Sequence, residues 1–219
     1  MFRIFFLSPA NSGGQRAQMI FNRNAGFPLA RQLQGGGARP LGEIFRFLSG
    51  LYFRGKLAYA EAFARPPANS CGAFVITSNR GLVPVHTPTT LAELRAFADV
   101  PIDPEDIRYE KPLRQTARRL ARFAAGEFVL LGSISTGKYV DILLEELGER
   151  LFFPSAFVGR GDMSRGGLML RAVRDARELA YERVAGAVRH GRRPPRLVPQ
   201  TWKQTPWAAD VQPARVRRK

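Results

Sequence analysis

The chain has 219 residues, room for one domain or for a domain with an extension, and 45% of them are hydrophobic, so a core can be buried. A single cysteine, Cys71, excludes a disulfide framework, and no apolar run approaches the ~18 residues of a membrane span. The net charge of +16 points to a polyanionic partner, DNA or RNA, against the competing reading of an Arg-rich coding bias; residues 189–219 hold nine of the 34 bases and one of the 18 acids, half of the excess.

The apolar run at residues 4–7 is shorter than the apolar segment of a signal peptide, so a cytoplasmic location with no membrane partner is expected. Residues 2–7 predict a continuous apolar strand of the kind found inside a parallel sheet. Ser8-Pro9-Ala10-Asn11-Ser12-Gly13-Gly14 stops it, and a short helix over 15–21 follows, with Ser12 as its cap. Residues 26–40 read as loop. The longest helical pattern covers 41–65, where Ile44, Leu48, Leu51, Leu57 and Ala58 recur at helical spacing while Gly50 and Gly55 weaken the middle. A second strand is expected at 74–77. A helix over 89–98 opens on Thr90 with Glu93 three residues later, a capping box. A basic helix over 112–125, a third strand at 128–131, a helix over 137–147, a short strand at 151–153 and a helix over 169–181 complete the pattern.

Strands alternating with helices predict an α/β fold in three layers, a mostly parallel central sheet with helices on both faces. Residues 1–190 are read as one such domain. Residues 191–219, rich in Pro and Arg, are read as a basic tail, disordered or draped over the surface.

Three strand exits carry small polar residues and a base. After the first strand come Asn11, Ser12 and Arg16; after the second, Ser78, Asn79 and Arg80. After the third, Gly132-Ser133-Ile134-Ser135-Thr136-Gly137-Lys138-Tyr139 matches a phosphate loop up to its last position. That position needs Ser or Thr for magnesium, and here it is Tyr139. Two readings remain there: backbone N–H groups and Lys138 holding some anion, or an ordinary strand-to-helix turn with Lys138 in solvent. Ligands in open α/β sheets sit beyond the carboxyl ends of strands, so one shared pocket is expected, with Ser133, Lys138 and Tyr139 in it.

Gly159-Arg160-Gly161-Asp162-Met163-Ser164-Arg165-Gly166-Gly167 reads as a structured loop touching a ligand. Asp162 is the candidate general base or water-orienting residue, with Arg165 beside it; the alternative is that Asp162 caps the next helix and pairs with Arg165. Tyr52, Arg54 and Lys56 interleave aromatics with bases as nucleic-acid contacts do, against core packing of Tyr52, Phe53 and Tyr59. Arg192 and Arg193 are further candidate contacts from the tail. Two histidines, His86 and His190, and one cysteine make no metal cluster, and no cofactor is expected.

Residues Leu51-Tyr52-Phe53, Ala58-Tyr59-Ala60, Ser78-Asn79-Arg80-Gly81-Leu82-Val83-Pro84 and Thr87-Pro88-Thr89-Thr90-Leu91, with the strand at 128–131 and Tyr139, resemble the YaaA-like bacterial proteins. The resemblance spans residues 2–147 and leaves out Asp162 and the tail. It implies an α/β fold related to uracil-DNA-glycosylase-like sheets and an association with DNA or modified bases. The first loop of this chain lacks the Cys and Lys of that family, so no catalytic residue carries over.

The expected function is nucleic-acid or nucleotide binding with base-directed hydrolysis as the associated reaction. The alternatives are an enzyme acting on a small phosphorylated or carboxylated metabolite and a non-catalytic scaffold that binds through its tail.

Overall fold

The computed structural model describes residues 1–195 and 197. In chain order its elements are β1 (Phe2–Leu7), α1 (Gln15–Phe21), α2 (Pro28–Gln34), β2 (Arg39–Pro40), α3 (Leu41–Ser49), α4 (Leu51–Phe63), β3 (Ala73–Ile76), β4 (Leu82–Pro84), β5 (Pro88–Thr89), α5 (Leu91–Ala98), α6 (Ile107–Ala121), β6 (Gly126–Leu131), α7 (Gly137–Leu147), β7 (Leu151–Pro154), α8 (Asp162–Arg174) and β8 (Tyr181–Arg183).

Six strands form the central sheet in the order β4-β3-β1-β6-β7-β8. The four inner strands are parallel, and β4 and β8 are antiparallel edges. Alternate residues of each inner strand enter separate cores. Phe5 and Leu7 of β1, Val75 of β3 and Val129 and Leu131 of β6 pack with residues of α1–α5 and α8. Ile4 and Phe6, Phe74 and Ile76, and Phe128 and Leu130 pack under α6 and α7. This is the period of two expected of a pleated strand, and it gives the three-layer α/β arrangement the sequence predicts. Each fully buried Phe contributes roughly 1.5–3 kcal/mol, and Phe5, Phe6, Phe128 and Phe153 are all fully buried.

Several elements differ from the sequence expectation for local reasons. The pattern at 41–65 is two helices, because Gly50 takes φ 60°, caps one and opens the next. The basic helix begins at Ile107, capped by Asp106, and carries Pro112 in its interior rather than at its start. The last helix begins at Asp162, seven residues earlier than the apolar spacing alone indicates. Residues 28–34 are helical, with Pro28 at the first position. Ser12 does not cap α1; Gly14 occupies the cap with no side-chain bond. The Thr90–Glu93 capping box forms as expected.

Residues 191 and 192 lie against the protein: the Arg192 carbonyl crowds Gly159, and Gly191 faces Val158. Residues 196 and 198–219 of the expected tail lie outside the described residues. Among the described residues no helix is long and apolar enough to cross a membrane.

Candidate functional site

β1 and β6 lie side by side, and the chain leaves them in opposite directions. From β1 it crosses one face through α1–α4 to reach β3; from β6 it crosses the other face through α7 to reach β7. A crevice opens beyond the carboxyl ends at such a switch point. Here it is a cleft of about 570 Å³. One wall is polar: Ser8, Asn11 and Ser12 after β1, Thr77 and Ser78 after β3, and Ser133, Thr136, Lys138 and Tyr139 after β6. Asp162 adds a carboxylate from the first turn of α8. The other wall is apolar, built from Phe45, Tyr52, Phe97, Val100, Pro101 and Ile102.

Beneath the polar wall sits Lys56, fully buried. Its Nζ donates to the Ser8 carbonyl oxygen at 2.9 Å and to Ser8 Oγ at 2.7 Å, and it lies 4.0 Å from the centre of the Tyr52 ring. Burial lowers the Lys56 ammonium to about 7; Asp162 opposes that shift and Arg165 adds to it. The neighbouring Ser8 hydroxyl acts to lower the Tyr139 phenol, whose Oη accepts the Ser133 N–H at 3.1 Å. Burial raises the Tyr139 phenol above its ordinary value. Burial also raises Tyr52, whose Oη stands beside Arg165 without a hydrogen bond of good geometry.

Glycines make this cluster compact. A Cβ at Gly132 would lie 2.8 Å from Ser8 Cβ and 2.9 Å from Tyr139 Oη, so only glycine lets the two side chains meet over β6. A Cβ at Gly55 would lie 2.7 Å from the Gly166 carbonyl oxygen, and one at Gly166 would lie 2.9 Å from Tyr52 Cα. α4 and α8 therefore touch backbone to backbone, which brings Asp162 and Arg165 up to Tyr52 and Lys56. The two glycines that weaken the helical reading of 41–65 thus have definite uses: Gly50 makes a turn and Gly55 a close crossing.

The structure gathers Asn11, Ser12, Ser78, Ser133, Lys138, Tyr139, Tyr52 and Asp162 in this one cleft. Ser78 Oγ is already committed to the Phe97 carbonyl at 2.6 Å, and Asn11 Oδ1 accepts the Gly13 N–H at 3.0 Å in a local turn. Lys138 is exposed, with no side-chain hydrogen bond among the described residues.

Other expected members stand elsewhere. Arg16 donates to the Phe47 carbonyl at 2.9 Å, tying α1 to the last turn of α3. Arg80 pairs with Glu93 at 2.6 Å on the surface, and Asn79 Nδ2 donates to the Ala96 carbonyl at 2.8 Å. Both Asn79 and Arg80 brace α5 instead of lining the cleft. Arg165 is buried; its guanidinium donates to the Phe157 carbonyl and pairs with Asp162 at 3.4 Å, so it orients Asp162 rather than offering itself to a ligand. Asp162 makes no cap bond with its side chain. Arg54 is half-buried on α4 and does not line the cleft. Lys56, expected as a nucleic-acid contact, is sealed behind Ser8 and cannot touch one. Arg192 and Arg193 are exposed, away from the cleft lining.

Ser8 and the inward role of Lys56 are the residues sequence reasoning misses. A signal existed for Lys56: it shares the helical stripe of Tyr52, Phe53, Tyr59 and Ala60, the buried face of α4. Among the described residues no three His, Cys, Asp or Glu side chains gather as a metal site. Comparison of the chain with family models, curated proteins and solved structures finds no match.

Proposed function

We propose that the cleft binds a nucleotide-sized anion, either a free nucleotide or a single nucleotide of a nucleic acid. The observation that carries this reading is that Lys138, the first turn of α7 and an aromatic wall share one 570 Å³ space at the β1/β6 switch point. Phosphate is held at Lys138 and the backbone N–H groups that open α7, and a planar base lies along Phe45, Tyr52, Phe97 and Ile102. Asp162 supplies the carboxylate for a sugar hydroxyl or for the water of a base-directed hydrolysis. The resemblance to YaaA-like and uracil-DNA-glycosylase-like proteins supports a base-recognising pocket. The cleft's size favours a small ligand over a duplex, and a polymer would have to present one unstacked nucleotide.

Equilibrium binding of AMP, UMP, dUMP and single- and double-stranded oligonucleotides, at about 50 and about 200 mM salt, tests the reading. Mononucleotide binding with a shallow salt slope, retained by a variant lacking residues 198–219, is the expected result. Binding that needs those residues, with no mononucleotide affinity, contradicts it. Unchanged turnover in Asp162→Asn would remove Asp162 from any hydrolysis found.

A further inference from the structure

We propose that Ser8 is a nucleophile, with Lys56 as its general base and Tyr139 as a proton donor, and that the cleft therefore carries acyl-transfer chemistry on an ester or amide substrate. The proposal uses the cleft described above but not the identity of its non-reacting ligand groups.

Three observations support it. Ser8 lines the cleft, although only 5% of the residue is exposed. On its other sides it meets Lys56 Nζ at 2.7 Å and the Tyr139 phenol, the arrangement of a nucleophile between a base and an acid. Lys56 has no carboxylate partner among the described ion pairs: its two hydrogen bonds go to one residue, Ser8. Burying an ammonium without a counter-ion is costly, and a neutral side chain could bridge to the Ser8 carbonyl at less cost. The groups facing Lys56 are Tyr52 on its own helix, Asp162 and Arg165 from α8 with opposite charges, and Ser8 just after β1, itself beside Tyr139 of α7. Burial, opposed by Asp162 and aided by Arg165, lowers the Lys56 ammonium to about 7. The Tyr52 hydroxyl, in the same wall, is buried and without a hydrogen-bond partner.

In the forward step neutral Lys56 takes the Ser8 hydroxyl proton as Oγ bonds to the carbonyl carbon. The bond from that carbon to the leaving group then breaks, and the leaving group takes the proton of the Tyr139 phenol, leaving a phenolate that accepts the Ser133 N–H. Water attacks the resulting ester and gives a proton to the Tyr139 phenolate in the cleft, and the freed Ser8 oxygen takes back the proton held by Lys56.

Labelling with phenylmethanesulfonyl fluoride followed by peptide mapping tests this in the full chain without any natural substrate. A sulfonyl adduct confined to Ser8 is expected, in preference to Ser12 and Ser133, with a rate that rises with pH and levels off above about 7. Lys56→Met is expected to slow it about 100-fold with the fold retained by circular dichroism. No adduct on Ser8, equal labelling of all three serines, or an unchanged rate in folded Lys56→Met overturns the proposal. Should that variant fail to fold, the wild-type pH profile decides: a plateau supports the pair, and a rate rising without limit in proportion to hydroxide overturns it. Added AMP separates this proposal from the binding reading. Protection supports both, labelling without protection sinks only nucleotide occupancy, and nucleotide binding without labelling sinks only the nucleophile.

Discussion

Lys56 Nζ lies 2.7 Å from Ser8 Oγ, inside the protein and beneath the polar wall of the cleft. The contact joins the middle of α4 to the end of β1 and places a titratable group where its protonation affects both stability and chemistry.

Burial of Lys56 makes stability depend on pH. Lys56 has an ordinary value of 10.5 and is lowered to about 7 in the folded chain. Between those values the unfolded state binds more protons, so stability rises with pH from about 7 to about 10.5, and the destabilisation from Lys56 is complete below 7. Urea unfolding at pH 6 and pH 9.5 should show this rise for the wild type and lose most of it in Lys56→Met. Equal rises in the two proteins would show that Lys56 is not the buried ammonium responsible.

Gly55→Ala should destabilise, against helix propensity, which favours Ala by about 1 kcal/mol. Its Cβ would sit 2.7 Å from the Gly166 carbonyl oxygen, so α4 and α8 must separate, at a cost of about 1–3 kcal/mol. Thermal unfolding reads this directly, and a stabilised variant would contradict the close crossing.

Lys138→Ala and Arg80→Ala should part company. Both residues are exposed, and the Arg80–Glu93 pair contributes at most about 1 kcal/mol. Lys138→Ala is expected to weaken AMP binding about 10-fold by removing a charge-assisted bond, while Arg80→Ala leaves it unchanged. Calorimetry on both variants checks the assignment.

Thr90→Ala removes the capping box of α5 and should cost about 1 kcal/mol. Glu93 in that box is lowered below its ordinary 4.5, first by the Thr90 N–H and further by Arg80. Its contribution is therefore present above pH 4.5 and lost as pH falls through the lowered value. Glu93→Gln should flatten that acid limb in a pH series of unfolding curves.

The inner strands were legible because residues 2–7, 74–77 and 128–131 are continuous apolar runs, a pattern that buried parallel strands share. The convergence of Ser12, Ser133, Lys138 and Tyr139 followed from topology, since parallel strands put their exits at one edge. Arg80 and Asn79 misled because β3 turns back at once into β4, an antiparallel edge, so its exit serves α5. β8 was missed because one half-buried and two exposed residues carry no periodic signal. Lys56 was misread because its neighbours Arg54 and Tyr52 suggested an exposed basic-aromatic surface. The helical stripe that buries it passes through Tyr52, Phe53, Tyr59 and Ala60.

Amide chemical-shift mapping during an AMP titration tests the shared cleft most directly. Shifts concentrated at Ser12, Ser133, Thr136 and Lys138, with Asn79 and Arg80 still, are the predicted result. Saturating shifts confined to Arg192 and Arg193, or none anywhere, would contradict a ligand site at the β1/β6 switch point.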